Sequence, residues 1–431
     1  MLRLLFVLVS AFAFTPSESQ WGRREFVSAT ATMAIASNKI VREKGYSPTL
    51  AKFSSLSLNK AGLVVIDQYT HNGDVLVEIL GPKNIEDAAP LVISVGHGGR
   101  FKPKYVPTRT EDKHPVGIQG AGSNGFATVS DANTDELGFA TVSATIDNWN
   151  LVPYFVINHL HRSKVDMNRY IDVAAQGNPI AEGAWNAFHD FISQAQVKVK
   201  QKFGTVTGRL KNGRFVEGVK GLLIDLHGYA GANDWRSGGN DDLPFIHWGY
   251  NMEDSLLDNR VDDIANSTLT HMSSLPEYDL ESLVRGENSL GTRFYNVFQS
   301  HPNSTGYPKI GLGLPSKEFP NPYATTMDPI YCGAVRDDTC KRCKYFSGGF
   351  TIIYHEYLDW RRPNIDGVRM NTVQIELPRP LRSGIDGHDK AFVHDACAYA
   401  LSISAISLVK DVFHIDSIAS AVNDDICSSN L

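Results

Sequence analysis

The chain has 431 residues, of which 42% are hydrophobic, 20% charged and 10% aromatic. This balance is typical of a folded globular protein and excludes a disordered or fibrous chain over most of the length. Lys and Arg total 41 against 47 Asp and Glu, and the resulting net charge of −6 excludes a global basic field for binding nucleic acid or an anionic membrane.

The first 19 residues have the pattern of a secretory signal peptide. Arg3 precedes an apolar run from Leu4 to Phe14, and small and polar residues follow where a peptidase could cut. The run is shorter than the roughly 20 helical residues that a membrane core requires, and we expect no later stretch to reach that length. The sequence therefore predicts a secreted protein that is soluble once the signal is removed.

The cysteine pattern agrees with an oxidising compartment. The chain contains Cys332, Cys340, Cys343, Cys397 and Cys427. The first three are close together, which favours one or two local disulfides over a zinc ribbon, because a ribbon would need a fourth nearby ligand. The odd number leaves at least one thiol unpaired, and glycosylation sequons at Asn266 and Asn303 also fit secretion.

Taken in chain order, the hydrophobic patterns predict an α/β protein. Residues 62–81 predict a β-hairpin around an Asn-Gly turn. Buried strands are predicted at Pro90–Val95, Gly221–Leu226 and Thr372–Leu377, and helices at Ile180–Phe203 and His388–Val412. Alternating strands and helices imply a mostly parallel mixed sheet with helices on both faces. Residues 210–345 are rich in Gly, Pro, Asn and Asp and predict a loop-rich insertion.

Polar residues occur at the ends of all three predicted buried strands. His97 and His227 directly follow the first two strands, and Glu376 lies within the third. Ligand sites in such sheets form where strands end, and imidazole is a common metal ligand, so the pair of histidines favours zinc. Asp225 shares a pleat face with His227 and is a candidate to orient a neighbouring group. The alternatives are a turn histidine at 97 and a water-facing edge glutamate at 376.

Residues 161–169 (HRSKVDMNR) concentrate charge and amide groups. Arg162, Asp166, Asn168 and Arg169 lie within nine residues. A planar guanidinium can bind a carboxylate through two parallel hydrogen bonds, so two arginines and an amide form a candidate anion clamp. The alternative is a solvated charged loop.

The order of these motifs resembles the N-formylglutamate amidohydrolase family, which is itself similar to the zinc carboxypeptidases. The resemblance covers roughly residues 90–405 and includes HGG at 97–99, VDMNR at 165–169, DLHG at 225–228 and QIELPR at 374–379. It implies a zinc-exopeptidase-like (phosphorylase/hydrolase-like) fold. The implied activity is hydrolysis of an amide bond in a small carboxylate-bearing substrate.

The resemblance also implies roles for individual residues. His97 and His227 would bind zinc, and Glu376 would act as the base or proton shuttle. Asn168 and Arg169 would hold a substrate carboxylate, with Arg162 joining them or polarising the scissile carbonyl. His355, which follows a glycine-rich segment, is a lesser candidate for the site.

The third metal ligand departs from the carboxypeptidase pattern. Carboxypeptidases use His-x-x-Glu, but Arg100 stands at the position of the Glu and cannot ligate. The acidic segment 130–139 matches the amidohydrolase family instead, and we predict Asp131 as the ligand, with Asp135 and Glu136 as alternatives. If the segment is helical, Asp131 and Asp135 lie on one face.

Other catalytic signatures are missing from the sequence, since it contains no HExxH, no Gly-x-Ser-x-Gly and no P-loop.

We predict a signal peptide at 1–19, an N-terminal extension at 20–85, an amidohydrolase-like domain at 86–415 and a tail at 416–431. The predicted function is secreted, zinc-dependent hydrolysis of an N-acyl amino acid or a short peptide with a free carboxylate. The alternatives are a secreted zinc carboxypeptidase and a non-catalytic binding protein that keeps the fold without metal.

Overall fold

The computed structural model describes residues 47–52, 62–113, 126–209, 213, 215–229, 246–252, 267–301, 314, 346, 348–356, 368–383 and 390–419. The predicted signal peptide, Cys332, Cys340, Cys343, Cys427 and the two sequons lie outside these residues, as does most of the predicted insertion. The predicted domain boundaries stay predictions.

A mixed sheet of eight strands organises the described residues. The strands are β1 Leu63–His71, β2 Asp74–Pro82, β3 Ala88–Val95, β4 Val152–Asn158, β5 Thr205–Arg209, β6 Phe215–Tyr229, β7 His247–Gly249 and β8 Met370–Pro378. Their order in the sheet is β1-β2-β4-β3-β6-β8-β7, and β5 pairs with β6 outside this path. The four central strands, β4, β3, β6 and β8, are mutually parallel, while β2 and β7 flank them antiparallel.

Helices cover both faces of the sheet, as the sequence predicted. They are α1 Pro48–Lys52, α2 Thr134–Trp149, α3 Ile171–Ala175, α4 Pro179–Phe203, α5 Leu280–Arg285, α6 Leu290–Ser300, α7 Phe350–Glu356, α8 Arg379–Ser383 and α9 Lys390–Phe413, with short 3-10 turns at Ile85–Asp87 and Glu111–Lys113. Strand β3 shows why two covering layers are needed. Leu91 and Ile93 pack into one hydrophobic cluster with α2 and α9, whereas Val92 packs into a second with α4. Successive side chains of a strand point to opposite faces, so a strand that is apolar throughout must be covered twice.

The predicted elements agree with the structure in position and differ at their ends. The hairpin is formed by β1 and β2 around Asn72 and Gly73, both with positive φ. Strand β6 begins before the predicted Gly221 and continues through His227, because β8 pairs with it as far as Pro378. Strands β4, β5 and β7 were not predicted from the sequence.

Helix α9 corrects one expectation. Its stretch His394–Phe413 is long and apolar enough, by length and composition alone, to cross a membrane, and it is the one such helix in the described part of the chain. Most of this stretch is buried in the fold against α2 and α6. Core helices of soluble proteins pass the same test, so the finding is weak evidence for a membrane span. Cys397, on this helix, is buried and unpaired.

Candidate metal centre

The strand order places His97 and His227 beside each other. After β3 the chain passes through α2 to β4, which lies on one side of β3 in the sheet. It then passes through α4 to β6, which lies on the other side of β3. The carboxyl ends of β3 and β6 therefore flank the point where the winding direction reverses, which is where open α/β sheets form ligand crevices. His97 follows β3, and His227 lies at the end of β6.

His97, Asp131 and His227 form a buried cluster that could hold a metal ion. Their ligand atoms lie within 4.8 Å of one another. The Asp131 Oδ2 atom is 3.1 Å from Nδ1 of His227 and 3.5 Å from Nδ1 of His97. The two imidazole rings are nearly perpendicular, with centroids 4.8 Å apart.

Each imidazole ring is hydrogen-bonded to a buried carboxylate through the nitrogen that faces away from the cluster. The Nε2 atom of His97 lies 2.7 Å from Oδ1 of Asp166, and Nε2 of His227 lies 2.8 Å from Oδ2 of Asp225. Because an ionised carboxylate only accepts hydrogen bonds, each Nε2 donates, and in the neutral form that a metal requires the lone pair of Nδ1 would point into the cluster. Carboxylates behind the ring are typical of metal-binding histidines. The sequence analysis anticipated this role for Asp225 but noted Asp166 only as one of the charged residues in segment 161–169.

The electrostatics of the cluster favour a bound cation. Burial alone would raise the pKa of Asp131, but the hydrogen bond from His227 and the charges of His97 and His227 outweigh it and hold that pKa far below its ordinary range. Asp166 and Asp225 are likewise buried, yet the charges of Arg162 and His227, respectively, keep their pKa values low. Burial would lower the pKa of His227, but Asp225 and Asp131 raise it well above its ordinary value. Three ionised carboxylates thus draw positive charge to this point.

The donor set fits a divalent metal. A tetrahedral zinc ion with bonds of about 2.0–2.1 Å separates its ligand atoms by about 3.3 Å, close to the two distances that involve Asp131. Among the residues that the structure describes, none hydrogen-bonds the buried Nδ1 atom of His97. A metal ion would bind this lone pair and separate it from the facing Asp131 carboxylate.

The structure distinguishes among the three candidates for the acidic ligand. Asp131 lies in the turn before α2, which begins only at Thr134, so the predicted helical pair with Asp135 is not formed. Asp135 instead lines a separate cavity, and Glu136 lies 3.7 Å from Arg100. The turn packs tightly on the HGG segment, because a Cβ atom at Gly98 would lie 2.7 Å from the backbone nitrogen of Asp135. Only Asp131 joins the two histidines.

Glu376 lies in the same cavity as the cluster. It is 3% exposed and is the register partner of His227 on the neighbouring parallel strand, so the two side chains share a face of the sheet. The cavity has a volume of about 500 Å³ and is lined by Asp131, His227 and Glu376 together with the predicted substrate residues. The alternative of a water-facing edge glutamate does not hold, because β7 pairs with β8 on its other side.

The three predicted clamp residues also line this cavity. Arg162 donates from Nε to Oδ2 of Asp166 at 2.9 Å, and its Nη1 lies 3.9 Å from Asp131. Arg169 is 6% exposed and donates from Nη1 to the carbonyl of Asn168. Asn168 accepts a hydrogen bond from the backbone of Thr351. The clamp segment is therefore buried in the wall of the cavity and is not a solvated loop.

His355 is not brought into the cavity. Its Nε2 atom lies 3.0 Å from Nδ1 of His189, on the side of α7 that faces α4. The pair supports the clamp segment from outside, because Nε2 of His189 donates to the carbonyl of Met167. Periodicity alone could not reveal this contact between residues 166 positions apart.

Replacing Asp225 by asparagine is expected to weaken metal binding by about 10- to 100-fold, because the carboxylate orients His227 and increases its basicity. Competition with a chelator of known affinity measures the change. Asp147→Asn is the matched control, since Asp147 is exposed on α2. Equal affinities for wild type and Asp225→Asn would contradict an orienting role.

The fold and the cluster together define the class of this chain: an α/β protein with a mixed, centrally parallel sheet and a candidate metal centre at its switch point. No protein-family model matches the sequence, and no curated protein matches it. Similar solved structures do exist, and they include the family that the sequence motifs resemble.

Three of these structures illustrate the similarity. N-formylglutamate amidohydrolase from Ralstonia eutropha JMP134 is 15% identical, with 78% of this chain and 98% of that chain covered and a TM-score of 0.36. A gene product of Agrobacterium tumefaciens is 12% identical, with 79% and 94% covered and a TM-score of 0.34. A metallo-carboxypeptidase from Pseudomonas aeruginosa is 12% identical, with 85% and 70% covered and a TM-score of 0.31. These similarities concern the fold, so the chemistry of the site rests on its own residues.

Proposed function

We propose that this protein is a secreted, zinc-dependent hydrolase that cleaves an amide bond in a small substrate with a free carboxylate, of the N-acyl amino acid type. One observation carries the proposal: a single cavity is lined by Asp131 and His227 of the cluster, by the Glu376 carboxylate and by the buried Arg169. Secretion rests on the signal-like residues 1–19.

Each group has a chemical task in such a reaction. A metal bound by the cluster would supply positive charge that polarises a carbonyl and lowers the pKa of a water molecule. Glu376 takes the proton of the attacking water and delivers it to the leaving amine. Arg162 lines the cavity with its Nη1 atom 3.9 Å from Asp131 and contributes positive charge near the developing oxyanion.

Arg169 would fix the register of the substrate. The main chain at Arg169 is anchored, because Nε1 of Trp185 donates to its carbonyl at 2.9 Å. A buried, anchored guanidinium can bind a carboxylate through two parallel hydrogen bonds and hold the scissile bond at a fixed distance from Glu376. The substrate must therefore carry its carboxylate close to the amide that is cleaved.

Replacing Arg169 by lysine is expected to lower kcat/KM for carboxylate substrates by about 10- to 100-fold, because a charged two-pronged hydrogen bond is lost. The same substrates with an amidated carboxyl should lose much less. Arg293→Lys is the control, since Arg293 pairs with Asp411 outside the cavity. Equal losses for both substrate series would refute the clamp.

Two rival functions remain, and one experiment separates them from the proposal. The cavity of about 500 Å³ also suits the last residues of a peptide, which favours a carboxypeptidase as the second candidate. The purified protein is analysed for metal and then screened with N-formyl and N-acetyl amino acids and with short peptides. The proposal expects about one zinc per chain and turnover of N-acyl amino acids. Turnover of peptides alone would favour the carboxypeptidase, and absence of bound metal after zinc addition would favour a binding protein.

A further inference from the structure

The carboxylate of Glu376 is held by a neighbouring amide. Nε2 of Gln374 donates to Oε1 of Glu376 at 3.0 Å. The two residues are separated by one position on β8, so both side chains point to the same face and both line the cavity. Gln374 is only 2% exposed, and its amide must therefore be oriented by other protein groups.

Asn168 sets the orientation of that amide. The backbone N–H of Thr351 can only donate, and it donates to Oδ1 of Asn168 at 2.8 Å. The nitrogen of Asn168 must then face outward, and it donates to Oε1 of Gln374 at 3.4 Å. With its oxygen so engaged, Gln374 has only its nitrogen to offer Glu376. The direction of hydrogen bonding thus runs from the start of α7 through two amides to the carboxylate.

The Gly348–Gly349 segment leaves room for these amides. A Cβ atom at Gly349 would lie 2.3 Å from Nδ2 of Asn168, so any side chain there would displace the amide. Gly348 has a φ of +91°, which other residues rarely adopt, and its Cβ position is 3.5 Å from the Cβ of Gln374. The segment brings α7 against both amides at close range.

We propose that Gln374, oriented by Asn168, is a positioning residue that holds the Glu376 carboxylate in its working orientation. The inference rests on the proposed function, in which Glu376 is the proton acceptor. It gives Asn168 a different task from the substrate contact that the family resemblance implies. An Asn168 that contacts substrate affects KM, whereas one that acts through Gln374 affects kcat.

Two variants and their combination test the proposal. Gln374→Met removes the donor with little change in volume. Asn168→Asp keeps the acceptor for Thr351 but cannot donate, so the amide of Gln374 turns its oxygen toward Glu376. Each variant should lower kcat by about 10- to 100-fold, as misplaced catalytic groups do, with KM changed less than about twofold and metal content unchanged. The double variant should lose little more than either single variant, because both act on one chain of hydrogen bonds.

The control is Gln196→Met, which removes another buried glutamine amide, located on α4 and bound to the carbonyl of His355. It should match Gln374→Met in thermal stability while keeping wild-type kcat. The proposal is overturned if the losses of kcat in the two single variants add in the double variant. It is also overturned if Asn168→Asp raises KM for carboxylate substrates alone, which would assign Asn168 to substrate binding.

Crystal structures of the two variants keep this test separate from the proposed function. We expect the Glu376 carboxylate to rotate away from its wild-type position in both. If no N-acyl amino acid is turned over by the wild-type protein, the proposed function fails, but the rotation of Glu376 still decides the positioning role. A Glu376 side chain that is unmoved in both variants overturns it.

Discussion

Replacing Glu376 by glutamine is expected to leave the metal in place and to lower kcat by about 10²- to 10⁴-fold, the usual contribution of a general base. Glutamine has nearly the same shape as glutamate, so the pairing of β8 with β6, in which residue 376 lies opposite His227, should persist. The amide cannot accept the proton of a water molecule, and only the proton transfer is lost. Metal analysis and the kcat for the best N-acyl amino acid measure the two effects.

The control for this substitution is Glu217→Gln. Glu217 lies on the neighbouring strand β6 but is exposed and outside the cavity, so kcat should be unchanged. Near-normal turnover by Glu376→Gln would remove Glu376 from the mechanism. Loss of metal in the same variant would instead indicate that Glu376 acts through the metal cluster.

The second large effect is expected when both histidines of the cluster become alanine. Metal content should fall from about one ion per chain to nearly none, because a single carboxylate cannot retain the ion. The same variant should lose the thermal stabilisation that added zinc gives the wild type, which amounts to about 4 kcal/mol at a zinc concentration a thousand times the dissociation constant. Elemental analysis and thermal unfolding with and without zinc check both results.

Folding of this double variant must be verified by circular dichroism, since it leaves Asp131, Asp166 and Asp225 without their imidazole partners in a buried site. His301→Ala is the matched control, because His301 lies at the end of α6, away from the cavity. A folded double variant that still binds one zinc per chain would place the metal elsewhere.

Much of the sheet was predictable because its central strands are buried on both faces. Continuous apolar runs at β3, β6 and β8 and an Asn-Gly turn at 72–73 are local signals that need no knowledge of the rest of the chain. Strand β7 contains only three residues, His247–Gly249, and is defined by its pairing with β8. No local pattern marks so short a strand.

The candidate metal ligands also divide into residues that a local sequence signal marks and residues that only the tertiary structure identifies. His97 and His227 stood out because each follows an apolar run, whereas Asp131 was predicted without a local signal that excludes Asp135 and Glu136. The choice depends on where α2 begins, and Thr134 starts the helix three residues beyond Asp131. Asp166 was given no role of its own in the sequence analysis, although its carboxylate accepts a hydrogen bond from Nε2 of His97, 69 positions away.

The sequence by itself determined the hairpin, the strands β3, β6 and β8, the helices α4 and α9 and which residue types could bind metal, since these follow from local periodicity and side-chain chemistry. Only the tertiary structure decided that His97, Asp131 and His227 form one cluster and that Asp131, His227 and Glu376 line one cavity. The physical reason is that strand order and register depend on packing and pairing between distant segments. A shift of one residue along β8 would turn Glu376 to the opposite face of the sheet.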